Sequence, residues 1–258
     1  MRLLPLLIAV PLWAAEDADA ILRRMVEAQT QNREPSQQYT YREDLQFFDY
    51  DKNGQAKKKN SRTYDVLYVE GLQYRRLVAR DGKPLSKREE AREEKKMQQT
   101  AAERRKQRRS GLFRRGVSLG SAQELLTLFD NRLIGEEEIR GRKAWVIEST
   151  PKAGHAPAND HEKEILSFAK KHWIDQTESF FLRRTDTVVG DQIRFKPGTV
   201  ITFDFDKVND GAWLPLTTVV ESRVQIIKMV KVSGRTESRF SNYKKFDVES
   251  TITVDEPK

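Results

Sequence analysis

Hydrophobic and polar positions recur along this chain with two different periods, and the change of period divides it into elements. Over residues 17–31, Ile21, Leu22, Met25 and Val26 fall on one face at helical spacing. A first helix that docks on something is expected there, ended by Glu34-Pro35-Ser36. From residue 38 the period drops to two. Strands are expected over 38–50, rich in Tyr and Phe, over 62–70, where Tyr64, Val66 and Tyr68 alternate, and over 73–80. Asp51-Lys52-Asn53-Gly54 and Glu70-Gly71 supply turn chemistry between them, and such short connections imply antiparallel neighbours.

Asp81-Gly82-Lys83-Pro84 closes the third strand and a helix follows. Ser86 with Glu89 forms a capping box, and Gly111 stands where a C-terminal cap belongs. Between them the apolar residues are Ala91, Met97, Ala101 and Ala102, too few for a buried face. This helix is therefore expected to project into solvent, with pairs such as Glu89–Arg92 and Glu93–Lys96 along it. A second capping box, Ser121 with Glu124, opens a short helix that Leu125, Leu126, Leu128 and Phe129 make apolar enough to bury. Strands return from Glu136, over 144–148 and 173–187, separated by a helix over 162–171 that Asn159 or Asp160 caps. In the last third Ile201, Phe203 and Phe205 alternate with Thr202, Asp204 and Asp206, which gives a dry face and a wet one. Strands over 213–232 and 236–248 complete the chain, with turns at Asn209-Asp210-Gly211 and Ser233-Gly234. There is no internal repeat and no Gly/Ser-rich linker. One domain over 16–258 is expected, with a basic helix inserted at about 86–110.

Residues 1–15 stand outside this pattern. Arg2, an apolar run over 3–12 and Trp13-Ala14-Ala15 ahead of Glu16-Asp17 match a secretory signal peptide. The run is shorter than the roughly 20 apolar residues of a bilayer-spanning helix and is interrupted by Pro5 and Pro11. The mature chain is expected to begin near Glu16 and to work outside the cytoplasm; a frayed arm or a single membrane anchor is the other reading. No cysteine is present, which excludes disulfides, thiolate metal sites, Cys nucleophiles and a lipid anchor on an N-terminal Cys. With no Asn-x-Ser/Thr acceptor either, a bacterial periplasm is the compartment favoured.

That address changes what the net charge of +8 means. Outside the cytosol the polyanions are lipid head groups and envelope polymers, so no nucleic-acid partner is expected. Ten basic and five acidic residues between Lys87 and Arg109 concentrate the charge in one helix. Its Arg104, Arg105, Arg108 and Arg109 are candidates for contact with an anionic membrane surface or an envelope protein.

The motifs that resemble catalytic or metal sites are incomplete. Asp49-Tyr50-Asp51-Lys52-Asn53-Gly54 begins like a calcium loop, but its twelfth position is Asn60 rather than Glu, and a hairpin turn accounts for it. His161-Glu162 begins like a zinc-protease motif, yet position 165 is Ile and no histidine stands at ligand spacing. Ser167-Phe168-Ala169-Lys170 matches the nucleophile pattern of penicillin-recognising enzymes without its companion motifs. Asp204 and Asp206 share the wet face of a strand, where solvation is expected. No catalytic set, metal or cofactor is expected. The aromatics are mostly on strands and either fill a core or line an apolar cavity of a curved sheet; Leu125, Phe129, Trp145, Phe203 and Phe205 are the candidate lining.

An N-terminal helix, a run of antiparallel strands, a helical interruption and a long β finish behind a leader together resemble the LolA/LolB-like superfamily, the periplasmic outer-membrane lipoprotein-sorting proteins. The resemblance is carried by residues 18–28, by Leu67-Tyr68-Val69-Glu70-Gly71 leading into Tyr74-Arg75-Arg76-Leu77-Val78, by Ala144-Trp145-Val146-Ile147-Glu148, by Trp173-Ile174-Asp175 leading to Leu182-Arg183, and by Gly211-Ala212-Trp213-Leu214-Pro215. It covers most of the mature chain. It implies an α+β fold, a strongly curved antiparallel half-open β-barrel with helices on or over the concave face. It also implies non-enzymatic binding, by a carrier or sensor of lipids or acylated lipoproteins. The founding carriers place an arginine just after the second strand, where this chain has Glu70-Gly71, which moves the implied role from lipoprotein transfer toward binding or sensing. The alternatives are an interaction module docking through the basic helix, and a hydrolase built from Ser167, Lys170, His161 and His172.

Overall fold

The first helix, α1 (Ala18–Gln37), starts where the Asp17 carboxylate accepts a hydrogen bond from the Asp19 N–H at 3.3 Å. Ile21, Leu22 and Met25 are fully buried along one face, each contributing roughly 1.5–3 kcal/mol to the docking. The helix runs through Pro35 instead of stopping before it. Proline lies in the last turn, where its ring removes a single intrahelical bond, and Asn32 just before it is anchored to the sheet. The computed structural model describes residues 17–51, 53–109, 122–190, 195–209, 211–226 and 230–246. The leader, Ser121, Gly111 and Asp210 lie outside the described residues.

The strands are β1 (Tyr39–Tyr50), β2 (Ala56–Val69), β3 (Leu72–Arg80), β4 (Lys83–Pro84), β5 (Phe129–Ile139), β6 (Arg142–Pro151), β7 (Phe168–Asp175), β8 (Phe181–Val188), β9 (Val200–Val208), β10 (Ala212–Ile226) and β11 (Val230–Lys245). They form one open 11-stranded antiparallel sheet in the order β4-β3-β2-β1-β11-β10-β9-β8-β7-β6-β5. Two meanders are thus joined side by side, the first and last long strands pairing through Leu45↔Ser238 and its neighbours. Three hairpins turn on an x-Gly pair with both residues at positive φ: Glu70-Gly71 (50° and 77°), Asp81-Gly82 (50° and 75°) and Arg140-Gly141 (51° and 77°). That is the two-residue turn whose twist matches the flanking strands.

Between the meanders the chain passes through α2 (Lys87–Arg109) and α3 (Ala122–Leu128) to reach the far edge of the sheet. Helix α2 does not project into solvent as its composition led one to expect. Met97 and Ala101 pack against Leu67, Val69 and Tyr74, and the Arg104 guanidinium donates to the Val69, Leu72 and Gln73 carbonyls at 2.9–3.0 Å. Two small apolar contacts and one polar clamp replace the broad hydrophobic face. The expected Glu93–Lys96 pair is present at 3.9 Å, while Glu89 caps Ser86 and faces Arg80.

Three further elements differ from the sequence reading. Helix α4 (Asp160–Leu166), capped by Asn159, ends at Ser167, and Phe168–Asp175 is strand. The expected 173–187 strand is a hairpin, reversed at 176–180 because Asp175 accepts the Thr177 and Glu178 N–H groups. Ser233-Gly234 lies within β11, paired with Arg223 and Ser222. The main core gathers α1, α3 and strands β5–β8 with Trp213 of β10, and Phe129 enters it as the first residue of β5. Among the described residues no helix is long and apolar enough to cross a membrane.

Candidate functional site

Strand alternation puts Tyr39, Tyr41 and Glu43 of β1 on one buried face. The ladders set Tyr41 beside Val66 and Val66 beside Arg75, and Tyr68 beside Gln73. On the other meander Phe203 pairs with Thr218 and Phe205 with Pro215. These residues line a cavity of about 450 Å³, to which α1 adds Asn32 and Ser36. That volume is within the range of small-molecule sites. The lining residues from β9, β10 and the turn before β8 are mainly apolar, and those from β1, β2 and β3 are mainly polar.

The apolar wall holds Phe180, Phe203, Phe205, Trp213 and Leu214, while Phe240 of β11 stands beside Glu43 in the ladder and edge-on to Tyr41 at 5.7 Å. Phe180 stacks on Trp213 with centroids 5.1 Å apart and meets Phe205 edge-on at 6.1 Å. Trp213 is fixed from outside the cavity. Its indole N–H donates to Glu178 at 3.3 Å, and the Arg142 guanidinium lies 5.0 Å from its ring. Arg142 in turn meets Asp175 at 2.8 Å and Glu178 at 3.1 Å, and Lys207 meets Glu178 at 2.8 Å. Burial works to raise Asp175, but Arg142 and the Glu178 and Thr177 N–H groups outweigh it and hold the carboxyl below its ordinary value.

The polar wall centres on Glu43, whose side chain is 6% exposed. Arg75 reaches it with Nε at 2.6 Å and Nη2 at 2.8 Å, and the Ser238 hydroxyl donates to it at 2.6 Å. The same guanidinium lies 4.3 Å from the Tyr64 ring. Beside this pair the Gln73 amide donates to the Tyr41 hydroxyl at 2.8 Å and to that of Tyr68 at 3.3 Å. Burial pushes both phenols up, so they remain protonated donors at any physiological pH. A second hollow of about 440 Å³ between β3 and α2 is lined mainly by charged side chains.

Of the lining residues expected from sequence, Phe203 and Phe205 face the cavity. Leu125 and Phe129 are buried in the main core, and Trp145 is half-buried against that core with Arg24 5.2 Å from its ring. Of the four arginines, Arg104 is engaged by strand carbonyls and Arg105 by Glu70 at 2.7 Å. Arg108 and Arg109 belong to the last turn of α2, and their side chains lie outside the described residues. Glu43, Gln73, Arg75, Phe180 and Trp213 are lining residues that are not among the candidates expected from sequence. A signal existed for Glu43, a carboxylate in phase with Tyr39 and Tyr41 on the dry side of its strand.

The groups that would form a hydrolase do not hydrogen-bond one another. Ser167 donates to the Glu164 carbonyl at 2.6 Å, and His161 meets Glu124 at 2.9 Å. Lys170 faces Asp186 at 3.7 Å with both side chains buried, and burial draws its ammonium down to about 8. His172 is fully buried against Phe181, and burial with Arg184 and Lys170 nearby keeps it neutral. The calcium-like loop is a hairpin turn, in which Asp51 accepts the Asn53 and Gln55 N–H groups and Lys57 stands 3.4 Å away. Among the described residues no three His, Asp or Glu side chains stand where they could hold a metal ion together. Asp204 is not simply solvated: Arg183 and Thr217, its neighbours across the ladders, bond it at 2.7 and 2.9 Å.

No family model matches the chain, and no curated protein matches it in sequence. Among solved structures it is similar to a DUF1329 family protein from Desulfovibrio piger, at 14% identity over 92% of this chain and 96% of that one, with a TM-score of 0.40. It is also similar to a putative outer membrane lipoprotein-sorting protein domain from Vibrio parahaemolyticus, at 10% identity over 91% and 95%, with a TM-score of 0.39. A LolA superfamily protein from Nitrosomonas europaea gives 12% identity over 91% and 96%, with a TM-score of 0.34. The superfamily that the sequence layout resembles is thus represented among these structures. With TM-scores of 0.40 and below, the functional reading rests on the cavity itself.

Proposed function

We propose that this protein is a non-enzymatic periplasmic carrier or sensor, exported through the leader expected at residues 1–15, that holds an acyl chain of a lipid or lipoprotein in the 450 Å³ cavity. The observation that carries the reading is the division of that cavity into a wall of stacked aromatic rings and a wall of hydrogen-bonding groups. A hydrocarbon chain with a polar end is the ligand class that matches both. Each methylene buried against the aromatic wall contributes about 0.8 kcal/mol. Lost freedom on binding offsets much of this and leaves a grip that can be released.

The half-open, curved form of the sheet belongs to the same proposal. Gln73 and Arg75 on β3 share the cavity with Phe205 on β9, five strand spacings away in the sheet order. At roughly 4.8 Å per spacing a flat sheet would separate them by about 24 Å. Bending brings them to one hollow, with α1 at its rim through Asn32 and Ser36. The reading in which the basic helix docks on a membrane or partner loses two of its four arginines, because Arg104 and Arg105 are engaged within the fold.

Titration with a monoacylglycerol below its micellar concentration tests the proposal through intrinsic fluorescence. A saturable change that Trp213→Phe removes is expected. No saturable change with chains of roughly 12–16 carbons would count against it.

A further inference from the structure

We infer that Glu43 makes the cavity selective for an acyl chain ending in an uncharged carbonyl and against a free fatty-acid carboxylate. The inference rests on the proposal that the cavity holds an acyl chain. Among the described residues that line it, Glu43 and Arg75 are the only charged ones, and they neutralise each other. Arg75 presents its Nε and Nη2 to Glu43, and the Tyr64 ring covers a face of the same guanidinium. The cation that a fatty-acid carboxylate would seek is thus already paired. An entering anion would lose its hydration without gaining an unpaired cation in return.

An uncharged carbonyl meets the opposite situation. The Tyr41 hydroxyl accepts from Gln73 and keeps its own proton to donate. Tyr68 offers a second phenol beside it, and the Gln73 side-chain oxygen is an acceptor for a ligand hydroxyl. These groups sit on the same wall as Glu43, so the polar end of the ligand is read by neutral donors while a bound carboxylate guards the site. Three donors already engage the Glu43 carboxylate, so it has little left to offer a cation, and the guanidinium paired with it has little left to offer an anion.

Laurate and its monoglyceride, titrated separately into the protein at about pH 8, where the acid is ionised, distinguish the outcomes. The monoglyceride is expected to bind at least roughly tenfold more tightly. In Glu43→Gln the gap should close through a gain in laurate affinity, since Arg75 is released to pair with the ligand. Equal affinities in the unsubstituted protein, or tighter laurate binding, would overturn the selectivity while leaving the cavity an acyl site. Binding of neither ligand would overturn the acyl proposal and this inference with it. Unchanged selectivity in a folded Glu43→Gln variant would remove Glu43 as its determinant; if that variant does not fold, the comparison in the unsubstituted protein decides alone.

Discussion

The Asn32 side chain pairs with the backbone of Trp213 as a neighbouring strand would, its amide donating to the Trp213 carbonyl and its oxygen accepting the Trp213 N–H, both at 2.8 Å. One helix residue thereby fixes the start of β10 and the aromatic wall of the cavity. Asn32→Ala should leave a half-buried donor and acceptor unmatched and cost about 2–3 kcal/mol, read as a lower urea midpoint with unchanged slope. Asn32→Asp should cost at least as much, because the carboxylate faces a carbonyl it cannot donate to.

Phe205 and Leu125 separate binding from folding. Phe205→Ala removes a ring from the cavity wall and should weaken acyl binding by roughly tenfold. Leu125→Ala empties a core position and should cost about 2–5 kcal/mol of stability while the folded fraction binds as before. Paired melting curves and titrations check both. Loss of binding by Leu125→Ala at full stability would move the site into the core.

Arg104 is the clamp of helix α2. Arg104→Met keeps its length and removes three bonds to strand carbonyls. Hydrogen exchange over residues 87–107 should accelerate while β1 remains protected, with a stability loss of roughly 1–3 kcal/mol. Unchanged protection would mean that Met97 and Ala101 suffice to hold the helix.

The expectations that held were those fixed by neighbours in sequence. Glu70-Gly71 and Asp81-Gly82 announce tight hairpins because glycine supplies the second positive φ. Ser86 with Glu89 announces the start of α2, and the Ile21, Leu22 and Met25 spacing announces a docked helix. Those that failed had either a partner distant in the chain or a local turn without its usual residues. Helix α2 docks through an arginine on carbonyls, which no hydrophobic count detects. The reversal after Asp175 has no glycine; Ser179 takes the positive φ of 54° there. Phe203 and Phe205 were legible as a dry face. The polar wall was not, because Glu43 and Arg75 meet only when β1, β2 and β3 pair in this register.

Lys170 gives the protein an alkaline signature. Its folded value of about 8 lies below the 10.5 of a free lysine, so the folded state releases this proton first. Between those values the unfolded chain binds more protons, and stability from this group rises with pH. Below about pH 8 the penalty is fully present, at roughly 1.4 kcal/mol per unit of displacement. Above pH 10 the trend reverses, because Tyr41 and Tyr243, both raised by burial, hold protons that the unfolded chain loses. Denaturation across about pH 7–10 should show the rise, and Lys170→Met should flatten it.

The central claim is that the hydrocarbon of a ligand lies against Phe180, Phe205 and Trp213. A monoacylglycerol carrying a photoreactive diazirine in its chain, crosslinked to the protein and mapped by mass spectrometry, tests this most directly. Adducts on residues 203–205 and 213–215 that excess unlabelled ligand suppresses are the expected result. Adducts confined to the outer face of α2, or indifferent to competitor, would contradict it.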